Sequence, residues 1–154
     1  MSQSERQSET RPRIRVSVII INGGTILLVR HEKYGRTYWV LPGGGVDFGE
    51  SLADAAVREV KEETNLDVVV DKLVFVDDIL PENRHRHVVD VYFTAKVIGG
   101  ELRLGADSNL REVKYFPVND LTSLPFLPKI ADQIIEEYAK AFPDSAHYLG
   151  NQWG

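Results

Sequence analysis

Cysteine is absent from this chain of 154 residues. That excludes disulfides, thiolate metal sites and thiol nucleophiles. No apolar run approaches membrane-spanning length, and the polar start MSQSERQSETRPR lacks a signal-peptide core. Positive charge is in short supply. Eighteen Lys and Arg stand against 23 Asp and Glu, a net charge of −5, which leaves no electrostatic footprint for nucleic acid. Internal repeats and low-complexity tracts are also missing. The expectation is a cytoplasmic protein with neither a nucleic-acid nor a membrane partner. What remains is ordinary for a globular protein, with 43% hydrophobic and 27% charged residues. Residues 1–12 read as a flexible N-terminal tail and residues 13–154 as a single domain.

Hydrophobic patterning predicts strands that alternate with two helices. Residues 14–21 read as a strand, Asn22-Gly23-Gly24 as a turn, and residues 25–29 as the returning strand. Residues 39–41 form a short strand that leads into Gly43-Gly44-Gly45. Further strands are expected at 66–77, 88–97 and 112–116. A Gly99-Gly100 hairpin should lead into another at 101–104. Helices are expected at 51–64 and 130–141; in the second, Ile130, Ile134, Ile135 and Tyr138 share a face. This order fits an α/β sandwich with a mixed sheet between helices.

The first helix carries an unexplained charge. Ser51 is a natural N-cap, Asp54 approximates a capping box, and Asn65 suits a left-handed helix end. Leu52, Ala56 and Val60, flanked by Ala53 and Val57, form a face that can bury against a sheet. Glu59, Glu62 and Glu63 project together from the last turns. A helix C-terminus disfavours acids by roughly 0.3–1 kcal/mol each. A divalent cation is the simple counterweight. Carboxylate oxygens suit Mg²⁺ or Mn²⁺, which keep waters for phosphates to replace. Beside that helix, glycines at 43–45 let a ligand approach the backbone closely.

Gly44, Glu50, Arg58-Glu59-Val60, Glu62-Glu63 and Asn65-Leu66 stand at spacings that resemble the Nudix box. One position departs: Asn65 stands where that family has glycine. Asn also tolerates positive φ, so the helix end should survive. The resemblance implies a Nudix-type α/β/α sandwich over residues 13–154. It implies a pyrophosphohydrolase that uses Mg²⁺ or Mn²⁺ to cleave a nucleoside diphosphate linked to another moiety. It further implies that Glu59, Glu62 and Glu63 are metal ligands or activate water, and a carbonyl in the Gly43–45 loop, at Gly43, could complete the shell. Arg58, also a catalytic candidate, and Glu50 resemble the pair that braces the loop against the helix. The missing cysteine argues against the Nudix-like isoprenoid isomerases. Enzymes of this size in the family are often homodimers.

The attached moiety is read from outside the box. Pro81 lies fifteen residues after Leu66, a spacing associated with ADP-ribose hydrolysis in the family, although a simple turn explains it as well. ADP-ribose is the favoured substrate. The alternatives are a triphosphate or oxidised-nucleotide hydrolase and a nucleotide-sensing module without catalysis. Glu112 resembles a downstream family acid, a candidate general base or second metal ligand. Arg30, Trp39, Gly44, Gly45 and Arg86 are candidate substrate contacts, each weighed against a plain structural role. Tyr148 and Trp153 could pack over the site or against a partner subunit.

Overall fold

The computed structural model describes residues 11–107 and 109–153. Eleven elements follow in order: β1 Arg13–Asn22, β2 Thr25–Lys33, β3 Arg36–Val40, β4 Gly43–Gly45, α1 Leu52–Thr64, β5 Leu66–Ile79, β6 Val88–Gly100, β7 Leu110–Pro117, a 3₁₀ helix Val118–Ser123, α2 Ala131–Ala139 and β8 His147–Asn151. The strands form a mixed sheet in the order β3-β2-β1-β6-β5-β8, with β4 beside β1 and β7 beside β2. β1 runs parallel to β6, and β5 parallel to β8. The expected tail lies outside the described residues except at Arg11 and Pro12. Among the described residues, no helix is long and apolar enough to cross a membrane.

β1 explains the layering. Its run VSVII, residues 16–20, is buried on both faces because alternate residues serve different helices. Val16, Val18 and Ile20 join Ala55, Ala56 and Val60 of α1 in one core. Ile19 points the other way, into a second core with Phe75, Tyr92, Ile134 of α2 and Ile130 just before it. Each fully buried aliphatic side chain contributes roughly 1.5–3 kcal/mol. The sheet therefore sits between two helices, as the sequence predicts.

The buried stripe of α1 differs from expectation. Leu52 and Val57 are each 37% exposed, while Ala55 is fully buried. The helix turns toward the sheet the side that also carries Glu63 and Thr64, both buried. Residues 101–104 are not a strand. β6 continues to Gly100, where φ is +83° and an added Cβ would lie 2.4 Å from the Asn65 carbonyl oxygen. The chain then crosses the end of α1, where the Arg103 and Gly105 amides donate to the Thr64 and Glu63 carbonyls at 2.9 Å. Helix ends need such donors for their unpaired carbonyls, and that demand outweighs a hairpin here. Asn65 adopts φ 64°, the expected left-handed cap. β4 and β8 have no counterpart in the sequence reading.

Candidate active site

α1 approaches β4 through glycine. β4 pairs with β1 so that Gly43 faces Ser17, Gly44 faces Val16 and Gly45 faces Arg15. A Cβ on Gly43 would lie 2.1 Å from the Val16 carbonyl oxygen, and one on Gly44 would lie 2.4 Å from the Glu59 carboxylate carbon. A larger residue at Gly44 would push Glu59 away from the loop, and one at Gly43 would collide with the backbone of β1. With glycine there, the Gly43 amide donates to Glu63 Oε1 at 2.6 Å.

Arg58 ties the loop to the helix. Its Nε and Nη2 donate to Glu50 at 2.7 and 2.9 Å, a bidentate pair. Nη2 also donates to the Gly45 carbonyl at 3.0 Å, and Nη1 to Glu59 at 2.9 Å and Glu62 at 3.3 Å. The Arg58 hydrogen bonds hold the Glu50 carboxyl down at about 2, aided by the Asp47 amide. Glu63 lies at the other extreme. Burial pushes it up to about 8, against the pull of the Gly43 amide and Arg15. Burial also raises Glu59, with Arg58 opposing. His31 Nε2 lies 4.0 Å from Glu63, too far for a hydrogen bond, and burial lowers its pKa. Its ring stacks on Tyr38 at 5.8 Å.

The sequence-expected residues thus separate into two groups. Glu59, Glu63, Arg58, Glu50, Gly43, Gly44 and Gly45 converge, with the Glu62 side chain at the rim, 57% exposed. The others do not join them. Trp39 is packed in the core, edge-on to Phe116 at 4.6 Å, so it offers no open face to a base. Arg30 lies between Trp39 and Glu112, 3.3 Å from the acid, because β2 is flanked by both β3 and β7 in register. Glu112 is therefore paired with Arg30 rather than placed among the α1 acids. Pro81 is buried in a turn whose Arg84 amide donates to its carbonyl at 2.9 Å. It does not line the cavity described next, and neither do Arg30 and Trp39.

A cavity of about 460 Å³ opens beside the acids and was not anticipated. Gly45, His31 and Arg15 line it next to the glycine loop, and Arg86, Trp153 and Asp90 line it further on. Arg86 lies over the Trp153 ring at 5.2 Å. Trp153 therefore packs over this cavity, carried there by β8. One signal for the floor was present in the sequence: Asp90 interrupts the otherwise apolar and aromatic stretch VVDVYF at the start of β6.

A mixed sheet between two helices, with a glycine loop and acidic helix packed together, defines a class of hydrolase fold, and comparison with known proteins names it. The NUDIX domain family matches residues 11–138. An ADP-ribose pyrophosphatase from Methanocaldococcus jannaschii is 35% identical over 130 residues, covering 84% of this chain and 74% of that protein. An NAD-capped RNA hydrolase, NudC, from Pseudomonas putida is 32% identical over 129 residues, 82% of this chain but 45% of that protein. A solved NUDIX hydrolase from Nitrosomonas europaea superposes with a TM-score of 0.75 at 20% identity, covering 85% of this chain and 90% of that one. The chain belongs to the Nudix hydrolase family and is a pyrophosphohydrolase of that family. Nudix hydrolases act on small nucleotide-linked substrates and generally use divalent cations.

Proposed function

We propose that this protein hydrolyses a nucleoside diphosphate linked to a second moiety, with ADP-ribose the favoured substrate and Mg²⁺ or Mn²⁺ the cofactor. One observation carries the reading: a buried carboxylate, Glu63, and a half-buried one, Glu59, pressed against Gly43 and Gly44 at the edge of a cation-lined cavity. The donor set fits a hard cation. Glu59, Glu62, Glu63 and the Gly43 carbonyl offer only oxygen. Burial holds Glu63 and Glu59 above their ordinary range, and a nearby cation is what would return both to carboxylates. Among the described residues no three acid or imidazole groups already form a cage. Arg58 Nη1 contacts both Glu59 and Glu62, so a cation competes with it for those two.

A bound cation would neutralise charge on the diphosphate and lower the pKa of an attacking water. Arg58 and Glu50 hold the loop against the helix, and Gly43, Gly44 and Gly45 keep the backbone open to the substrate. Arg15 and Arg86 supply positive charge for its phosphates. The ADP-ribose preference is supported by the 35% identity to the archaeal pyrophosphatase.

The test is product release from a nucleotide panel with Mg²⁺ or Mn²⁺. ADP-ribose should yield AMP and ribose 5-phosphate, and Glu63→Gln should lower the rate by about 10²-fold or more. Binding without turnover of any panel member would overturn the enzymatic reading. Turnover of triphosphates but not of ADP-ribose would overturn the substrate assignment.

A further inference from the structure

Four strands place Gly45, Arg15, Asp90 and Asp77 in one straight row. Arg15 faces Gly45 on β4 and Asp90 on β6, and Asp90 faces Asp77 on β5. Directly opposed residues share a face. The neighbouring row is Gly43, Ser17, Tyr92 and Phe75. Phe75 and Tyr92 belong to the α2 core, so both rows lie on that side of the sheet. There they meet the floor of the cavity, which Arg15, Ser17, Asp90 and Tyr92 all line.

Asp90 is out of character with this cavity. Arg13, Arg15, Arg36, Arg86 and Lys129 line it, and Asp90 is the one acid among the described lining residues. It is 3% exposed. Burying a carboxylate is costly, and the structure compensates it sparingly. Ser17 Oγ donates to it at 2.9 Å, the Tyr92 hydroxyl and the Val91 amide also act on it, and Arg15 Nε stands 3.6 Å away, beyond hydrogen-bond range. Tyr92 donates its hydroxyl to Asp77 at 3.0 Å, and Asp77 Oδ1 has no hydrogen-bond partner among the described residues. Each carboxylate offers about four acceptor positions. Two hydroxyls and the Val91 amide serve two carboxyl groups, and even with Asp77 protonated the acceptor positions on the floor outnumber the donors. An apolar side chain would fill this position at lower cost.

We propose that Asp90 is a specificity-determining residue that accepts hydrogen bonds from the moiety attached to the diphosphate. The complementary chemistry is a paired donor, either vicinal hydroxyls of a sugar or an amino group of a base. The arginines favour the phosphates, whereas Asp90 repels a phosphate and admits a donor. The two together orient the ligand, with its diphosphate toward Gly45 and its donor end on the floor. Ser17 positions the Asp90 carboxylate. The inference rests on the diphosphate-hydrolase reading and names the determinant within it.

The experiment compares wild type, Asp90→Asn and Ser17→Ala on three substrates. These are ADP-ribose, its inosine counterpart without the base amino group, and an analogue whose terminal sugar lacks vicinal hydroxyls. Asp90→Asn should raise KM for ADP-ribose at least tenfold and change kcat less than threefold. Wild type should lose a similar factor on one donor-deleted substrate, and Asp90→Asn should lose nothing further on it. The substrate showing that pattern identifies the donor as base or sugar. Ser17→Ala should raise KM in the same direction by a smaller factor, and it keeps the acid in place should Asp90→Asn fail to fold. Folded Asp90→Asn with unchanged KM, or with equal losses on all three substrates, overturns the inference. Calorimetry with ADP-ribose and no metal separates the two readings. Turnover absent but Kd weakened by Asp90→Asn defeats the hydrolase assignment alone. Turnover intact but Kd unchanged defeats Asp90 alone.

Discussion

Arg58 shows how much one side chain arranges. Its guanidinium spans Glu50, Glu59, Glu62 and the Gly45 carbonyl, so a planar fork matters more than a positive charge. Arg58→Lys keeps the charge and loses the bidentate pair. It should cost about 1–3 kcal/mol of stability, read from urea unfolding, and should lower kcat. Asp77 makes a pH-dependent case. Burial, then Asp90, raises it from 3.8 to about 7. The fold favours its protonated form, so its ionisation penalty develops as pH rises from about 4 through 7 and is complete at pH 8. Asp77→Asn removes that penalty. Its Tm should match wild type at pH 4, begin to exceed it by pH 5, and exceed it by at least about 5 °C at pH 8. Equal Tm values at pH 8 would show that the fold does not hold Asp77 neutral.

At the scale of elements, β4 and α1 meet through two glycines with different neighbours. A Cβ on Gly43 meets backbone, the Val16 carbonyl and Ser17 Cα, which cannot move aside. A Cβ on Gly44 meets the end of the Glu59 side chain, which can. Gly43→Ala should therefore destabilise the fold by about 1–3 kcal/mol. Gly44→Ala should leave Tm within a few degrees and lower activity by displacing Glu59. Thermal unfolding and turnover on the same preparations separate the two. Most elements could be read from periodicity, because α1 and the long strands carry strong patterns. β8 could not. HYLGN is short, and its pairing to β5 depends on a neighbour some seventy residues earlier.

The whole molecule couples charge to stability. Glu63 is buried, and Glu59 half-buried, without a full complement of positive charge, so a cation that binds there stabilises the native state by mass action. A concentration one hundred times the Kd contributes about 2.7 kcal/mol. Tm should rise with Mg²⁺ or Mn²⁺ in wild type and stay flat in Glu63→Gln. A parallel rise in both would place the cation elsewhere.

Local sequence determined the helix, its caps, the glycine loop and the acids between Gly44 and Leu66, because these lie within 23 consecutive residues and act through helical spacing and backbone freedom. The box therefore announced its chemistry before any folding was known. The tertiary structure decided which other residues join it. Arg15, Asp90 and Asp77 come together only through the register of β1, β6 and β5. The same register logic pairs Arg30 with Glu112 and sends Trp39 into the core. Strand pairing carries no mark in a single strand's own residues, since a one-residue slip would turn each side chain to the other face. The cavity floor belongs to the fold.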